Sequence, residues 1–143
     1  MKLLTICIFP VLLLSPKEDG EKKKLFCQKW REVGIKFFNK EYKSVSSPMS
    51  ELIVFKPDGT FDKELYGQLK FKGNWAFNAT DSKFALAITE MNGQALPGQA
   101  LDMTHLTDSI AKLTKDTLIW ASLAYYGAKK IYGHDDRYFV REK

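Results

Sequence analysis

Leu69-Lys70-Phe71-Lys72-Gly73-Asn74-Trp75-Ala76-Phe77 is the stretch that decides the fold. Leu69, Phe71, Gly73, Trp75 and Phe77 fall on one parity, and Lys70, Lys72, Asn74 and Ala76 on the other. In an extended chain successive side chains point to opposite faces, so this spacing predicts a strand with one apolar and one polar face. The polar run Asn78 to Ser82 follows, and Lys83 to Glu90 returns with Phe84, Leu86 and Ile88 alternating with Ala85, Ala87 and Thr89. Together they predict a hairpin. Upstream, Glu51 to Phe55 is a short apolar run ended by Lys56-Pro57-Asp58-Gly59-Thr60. Proline presets φ at a turn corner and glycine accepts positive φ, so a second tight hairpin is expected, with Phe61 and Leu65 on the return strand opposed to Asp62 and Glu64.

Further out the same texture continues. Gln28 to Phe38 carries Val33, Ile35 and Phe37 on one parity and Trp30, Glu32, Gly34 and Lys36 on the other, which reads as a long half-buried strand. Met91 to Gly98 holds Asn92-Gly93 and Pro97-Gly98 and reads as a loop. Leu106 to Leu113 and Thr117 to Tyr125 flank Thr114-Lys115-Asp116, and Arg137 to Arg141 supplies a last strand. The expected strands are about 30–38, 51–56, 60–66, 69–78, 83–90, 105–113, 117–126 and 136–142. No window holds a clean helical stripe, and helix is expected only as a short turn over Lys22 to Cys27. The fold class is all-β. Successive strands joined by short turns leave two open edges unless the sheet closes, so the expected architecture is an eight-stranded antiparallel up-and-down β-barrel. A barrel of that size is filled by its own side chains or holds one small ligand.

The chain length of 143 residues fits one domain, and ten Phe, six Tyr and three Trp are the material of a folded core. The net charge of +5 is scattered along the chain instead of gathered on one face, so no nucleic-acid partner is expected. Residues 1–15, MKLLTICIFPVLLLS, have the outline of a signal peptide. The run is too short to span a bilayer and Pro10 interrupts it, so export to the periplasm, the cell envelope or the medium is the expectation. A charged, flexible leader is expected over 16–24 and the barrel domain over 25–143. Cys7 lies in the leader segment, which leaves Cys27 alone after cleavage and without an internal disulfide. Between Phe26 and Gln28 it reads as a small packed residue.

Several of these features are similar to a known family. Phe55-x-x-Asp58-Gly59-x-Phe61, Gly73-x-Trp75, Leu113-Thr114-Lys115-Asp116-Thr117-Leu118 and Trp30 on the first strand resemble the lipocalin-like domains of bacterial cell-envelope proteins, over roughly Leu25 to Lys143. The wider lipocalin family carries Gly-x-Trp at the start of its first strand, whereas here Gln28 precedes Trp30 at that distance. The resemblance implies the barrel and says little about a ligand.

No Gly-rich phosphate loop, nucleophile elbow or paired carboxylates in a pKa-raising setting occurs, so no catalytic residues, no cofactor and no enzyme activity are expected. His105 and His134-Asp135-Asp136 are too sparse for a metal site, and the latter run reads as an exposed turn. The candidate ligand-binding residues are therefore the aromatic and apolar positions expected to line the barrel interior: Trp30, Phe71, Trp75, Phe84, Leu86 and Trp120. Two functions compete: a hollow barrel that takes a small apolar ligand, and a filled barrel that serves as a structural or protein-interaction module of the envelope.

Overall fold

The computed structural model describes residues 16–37, 40–46, 49–78, 82–97, 101, 108–126 and 131–143. Residues 1–15, expected to be a signal peptide, His105 and the beginning of the strand expected at 105–113 lie outside them. The described chain runs α1 (Pro16–Phe26), β1 (Lys29–Lys36), β2 (Tyr42–Ser44), β3 (Glu51–Phe55), β4 (Thr60–Leu65), β5 (Leu69–Asn78), β6 (Lys83–Met91), β7 (Gln94–Ala95), β8 (Asp108–Leu113), β9 (Thr117–Tyr126) and β10 (Ile131–Arg141). Every pairing in the sheet is antiparallel. The hydrogen-bonded neighbours follow β1–β3–β4–β5–β6–β8–β9–β10 and return from β10 to β1, so the strands form a ring; β2 adds to β1 and β7 to β6 outside that path.

The turns close as their residues dictate. Asp58 Oδ1 accepts from the Thr60 amide at 2.9 Å and from its hydroxyl at 2.7 Å, while Gly59 takes φ of +87°. Those bonds fix the β3–β4 connection and hold the Asp58 carboxyl below its ordinary pKa. Asn92 and Gly93, at φ of +49° and +82°, form a two-residue turn that brings β7 back onto β6, so part of the expected loop is a small hairpin. At Gly73 the strands approach closely, and a Cβ there would run into the Ala87 carbonyl and the Phe61 ring.

β1 carries one irregularity, and two departures from the sequence expectation have clear causes. On β1 it is Trp30, Glu32 and Gly34 that are buried, and Val33, Ile35 and Phe37 are not. The ladder to β10 slips between Glu32 and Gly34, so Glu32 faces Phe139 while Ile35 faces Arg137. His134, Asp135 and Asp136 are not a turn but part of β10, paired with Leu123, Ser122 and Ala121 of β9. Where a flexible leader and at most a short helical turn were expected, α1 takes the whole of Pro16–Phe26. Proline suits its first position and Lys23 and Lys24 suit its last turn.

The helix matters because of its last residue. Phe26 is fully buried, stacked on Phe55 at 4.0 Å between ring centroids and within 5.2 to 5.6 Å of Trp75, Phe84 and Phe77. Its carbonyl accepts from Trp30 Nε1 at 3.0 Å, and Gln28 Nε2 donates to the Leu25 carbonyl, satisfying the helix end. One end of the ring is thereby closed by an aromatic plug.

Candidate functional site

The antiparallel order sorts the strand ends. β1 leaves α1 and runs away from it, so the starts of β3, β5 and β10 and the ends of β1, β4, β6 and β9 all lie at the end opposite α1. The two ends of the enclosed face differ in chemistry. Near α1 it is aromatic: from Phe26 the rings continue through Phe84 to Trp120 at 4.8 Å and from Trp120 to Phe139 at 5.9 Å.

Toward the far end it carries charge. Glu51 is 1% exposed and Glu32 is 7% exposed, although an ionised carboxylate is expensive to take out of water. Both are held by one guanidinium: Arg137 Nε donates to Glu32 Oε1 at 2.8 Å and Nη2 to Glu51 Oε2 at 2.9 Å. Lys63 Nζ adds a third contact, to Glu51 Oε2 at 2.8 Å. The Arg137 guanidinium also lies over the rings of Trp120 and Phe139, at 5.5 and 5.3 Å from their centroids. Burial by itself would lower the Arg137 pKa, but the two carboxylates outweigh it and hold the group protonated well above its ordinary value.

This arrangement follows from strand parity. Trp30 and Glu32 share a face on β1, as do Glu51, Ile53 and Phe55 on β3 and Arg137 and Phe139 on β10. The cluster is balanced, with two cations and two carboxylates. Among the described residues three buried side-chain atoms have no hydrogen-bond partner, Gln28 Oε1 near α1 and, beside this cluster, the acceptor Glu51 Oε1 and the donor Trp120 Nε1. The latter two side chains border the same guanidinium, Glu51 through its ion pair and Trp120 through its ring face.

The structure brings four of the six residues expected from the sequence into a single buried cluster: Trp30, Trp75, Phe84 and Trp120. Leu86 packs against that cluster, half-buried, opposite Trp75. Trp30 and Trp75 spend their ring N–H groups on the backbone carbonyls of Phe26 and Lys56, so both serve the packing of the plugged end. Phe71 lies outside that cluster, half-buried and opposite Lys63 on β4. Glu32, Glu51, Lys63 and Arg137 were not expected as site residues. The signal for them was that Glu32 and Glu51 share parity with Trp30 and Phe55, which puts carboxylates on an apolar face.

Cys27 is half-buried beside α1, and burial pushes its thiol pKa up, against reactivity. Among the described residues no three His, Cys, Asp or Glu side chains come together to hold a metal ion, and no helix is long and apolar enough to cross a membrane. Compared with protein-family models and with curated proteins, the chain matches none.

Proposed function

We propose that the protein is an exported, lipocalin-like binding protein without catalytic activity, whose ring of strands is an eight-stranded up-and-down barrel that takes a small, mainly apolar ligand. One observation carries this reading: the unequal finish of the two ends. The α1 end is stoppered by Phe26, whereas four large apolar residues at the far strand ends stay in water, Phe37 at 40%, Tyr66 at 49%, Leu69 at 38% and Met91 at 38% exposure. Apolar side chains gathered in water at one end of a closed sheet suit a ligand entrance. The apolar segment 1–15 supports export, and the loose lipocalin-like motifs agree with the ring.

The alternative is a filled barrel acting as a structural or interaction module of the cell envelope. It is favoured by the unbroken ring contacts from Phe26 to Phe139, which leave the α1 half to packing. Titration with an environment-sensitive apolar dye, followed by dye emission and by quenching of the three tryptophans, separates the two. Saturable binding near one dye per chain is expected. A linear, non-saturating response would remove the binding reading and leave the filled module.

A further inference from the structure

We propose that the α1 end of the molecule is a docking face for an anionic lipid surface. Along the sequence the excess of Lys and Arg is spread out, but the antiparallel order of the strands brings the start of β1, the end of β10 and the β8–β9 turn to the end that carries α1. Hydrogen bonds tie these segments together there: the Arg141 amide donates to the Asp116 carbonyl at 3.2 Å and the Glu142 amide to the Lys29 carbonyl at 2.9 Å. α1 lies against the same end, with one cleft beside it lined by Lys22, Leu25 and Lys112 and another by Lys24, Cys27 and Arg141. Lys23, Lys24, Lys29, Lys115, Arg141 and Lys143 are exposed, and none of them is in an ion pair with another described residue. The described carboxylates at this end are Glu21, Asp58, Asp116 and Glu142, and Glu142 is taken by Arg31 at 2.6 Å. Toward the opposite end the charges pair off, Lys63 and Arg137 with Glu51 and Glu32, and Lys72 with Glu90.

Cations spread over a face suit an extended anionic surface better than one small anion. The neighbouring sequence says which surface. Residues 1–15 are almost wholly apolar and are joined directly to Pro16, the first residue of α1. Such a segment favours the interior of a bilayer over water, so during export it brings the α1 end to the lipid head groups. A nucleic acid is the other extended polyanion. Single strands are held by stacking on exposed aromatics beside the cations, whereas the exposed rings of Phe37, Tyr42 and Tyr66 stand at the opposite end, and a duplex offers the apolar segment no place. Docked on lipid, the molecule turns α1 to the bilayer and the far strand ends to water, and this holds whether or not the interior takes a ligand.

The test is partition of the full chain into vesicles of phosphatidylcholine alone and of phosphatidylcholine with about 30% phosphatidylglycerol, read by co-sedimentation at about 50 and about 500 mM salt. Residues 1–15 act on both vesicles alike, so the ratio of the two partition coefficients isolates the charge. A ratio of at least about tenfold in favour of the anionic vesicles is expected at low salt, falling toward one at high salt. Each basic residue near an anionic surface is worth about fivefold, so Lys24→Gln, Lys29→Gln and Lys115→Gln together should weaken low-salt partition into anionic vesicles by at least about tenfold. Lys40→Gln, Lys43→Gln and Lys70→Gln, an equal loss of charge from exposed positions at the opposite end, should change it by less than about twofold. A wild-type ratio near one at low salt overturns the proposal. An equal loss from the two triple variants also overturns it, because net charge and not this face would then be the cause. So does a DNA duplex that removes the protein from anionic vesicles at a phosphate concentration below that of the anionic lipid, which would give the face to a nucleic acid. Should either triple variant not fold, the wild-type ratio and its salt dependence decide.

Discussion

Replacing Phe26 with alanine tests whether the ring of strands depends on a plug supplied from outside the sheet. The side chain is fully buried and meets four rings, Phe55 at 4.0 Å, Trp75 at 5.2 Å, Phe84 at 5.4 Å and Phe77 at 5.6 Å. Truncating a buried phenylalanine to alanine costs about 3–5 kcal/mol through lost transfer energy and the cavity left behind. The upper half of that range is expected here, because aromatic pairs of this geometry contribute about 0.5–1.5 kcal/mol each beyond their buried area. Against a total stability of about 5–15 kcal/mol, such a loss is a large share. At about 4 °C per kcal/mol for a domain of this size, the melting temperature should fall by about 16–20 °C.

Urea unfolding followed by tryptophan emission gives the number directly, and a red shift in the folded baseline would report water reaching Trp75, whose ring abuts Phe26. Lys24→Ala, an exposed change on the same helix, is the control and should stay within about 0.5 kcal/mol. A Phe26→Ala loss below about 1 kcal/mol, against the expected range for a buried ring, would refute the reasoning and make α1 an appendage to a sheet that is stable without it.

Two further changes probe the other end. Arg137→Met strips the guanidinium from two buried carboxylates and should cost about 3–5 kcal/mol in the same urea assay, whereas Arg137→Met combined with Glu32→Gln and Glu51→Met should recover most of that loss; a single variant as stable as the wild type would mean the pair is not buried in solution. Tyr66 sits at φ of +56° ahead of Gly67 at +66°, in a two-residue turn closed by the Gln68 amide on the Leu65 carbonyl. Tyr66→Asn should therefore raise stability by about 0.5–1 kcal/mol, since asparagine accepts that backbone region better than a bulky ring, and should at the same time weaken dye binding at the entrance; unchanged dye affinity would remove Tyr66 from the site.

The parts of this fold that were readable in the sequence are those governed by neighbours along the chain. β5 was visible because Leu69 to Phe77 alternates without a break, and the β3–β4 turn because Pro57, Asp58 and Gly59 each carry their own backbone preference. What stayed hidden depends on distant partners. The slip at Val33 is a property of the β1–β10 pairing, between segments about a hundred residues apart, and nothing local marks it. α1 lacks an amphipathic stripe because its last residue does most of the packing, so periodicity had nothing to detect. His134-Asp135-Asp136 looked like a turn from its polarity, but pairing with β9 continues straight through it.

The candidate site shows the same limit in a sharper form. Choosing inward aromatics found Trp120 and the rings around it, yet the chemistry lies in the charged residues that share their faces. Apolar packing would stabilise that half of the ring at least as well as the Arg137, Glu32, Glu51 and Lys63 group does, since buried ion pairs seldom improve on well-packed apolar side chains. Stability alone therefore gives no reason for four charges to sit on the enclosed face, with a donor and an acceptor still free beside them. The two ends differ in what holds them: Phe26, Phe55 and Phe84 pack one end, and Arg137 holds two buried carboxylates in fixed positions toward the other.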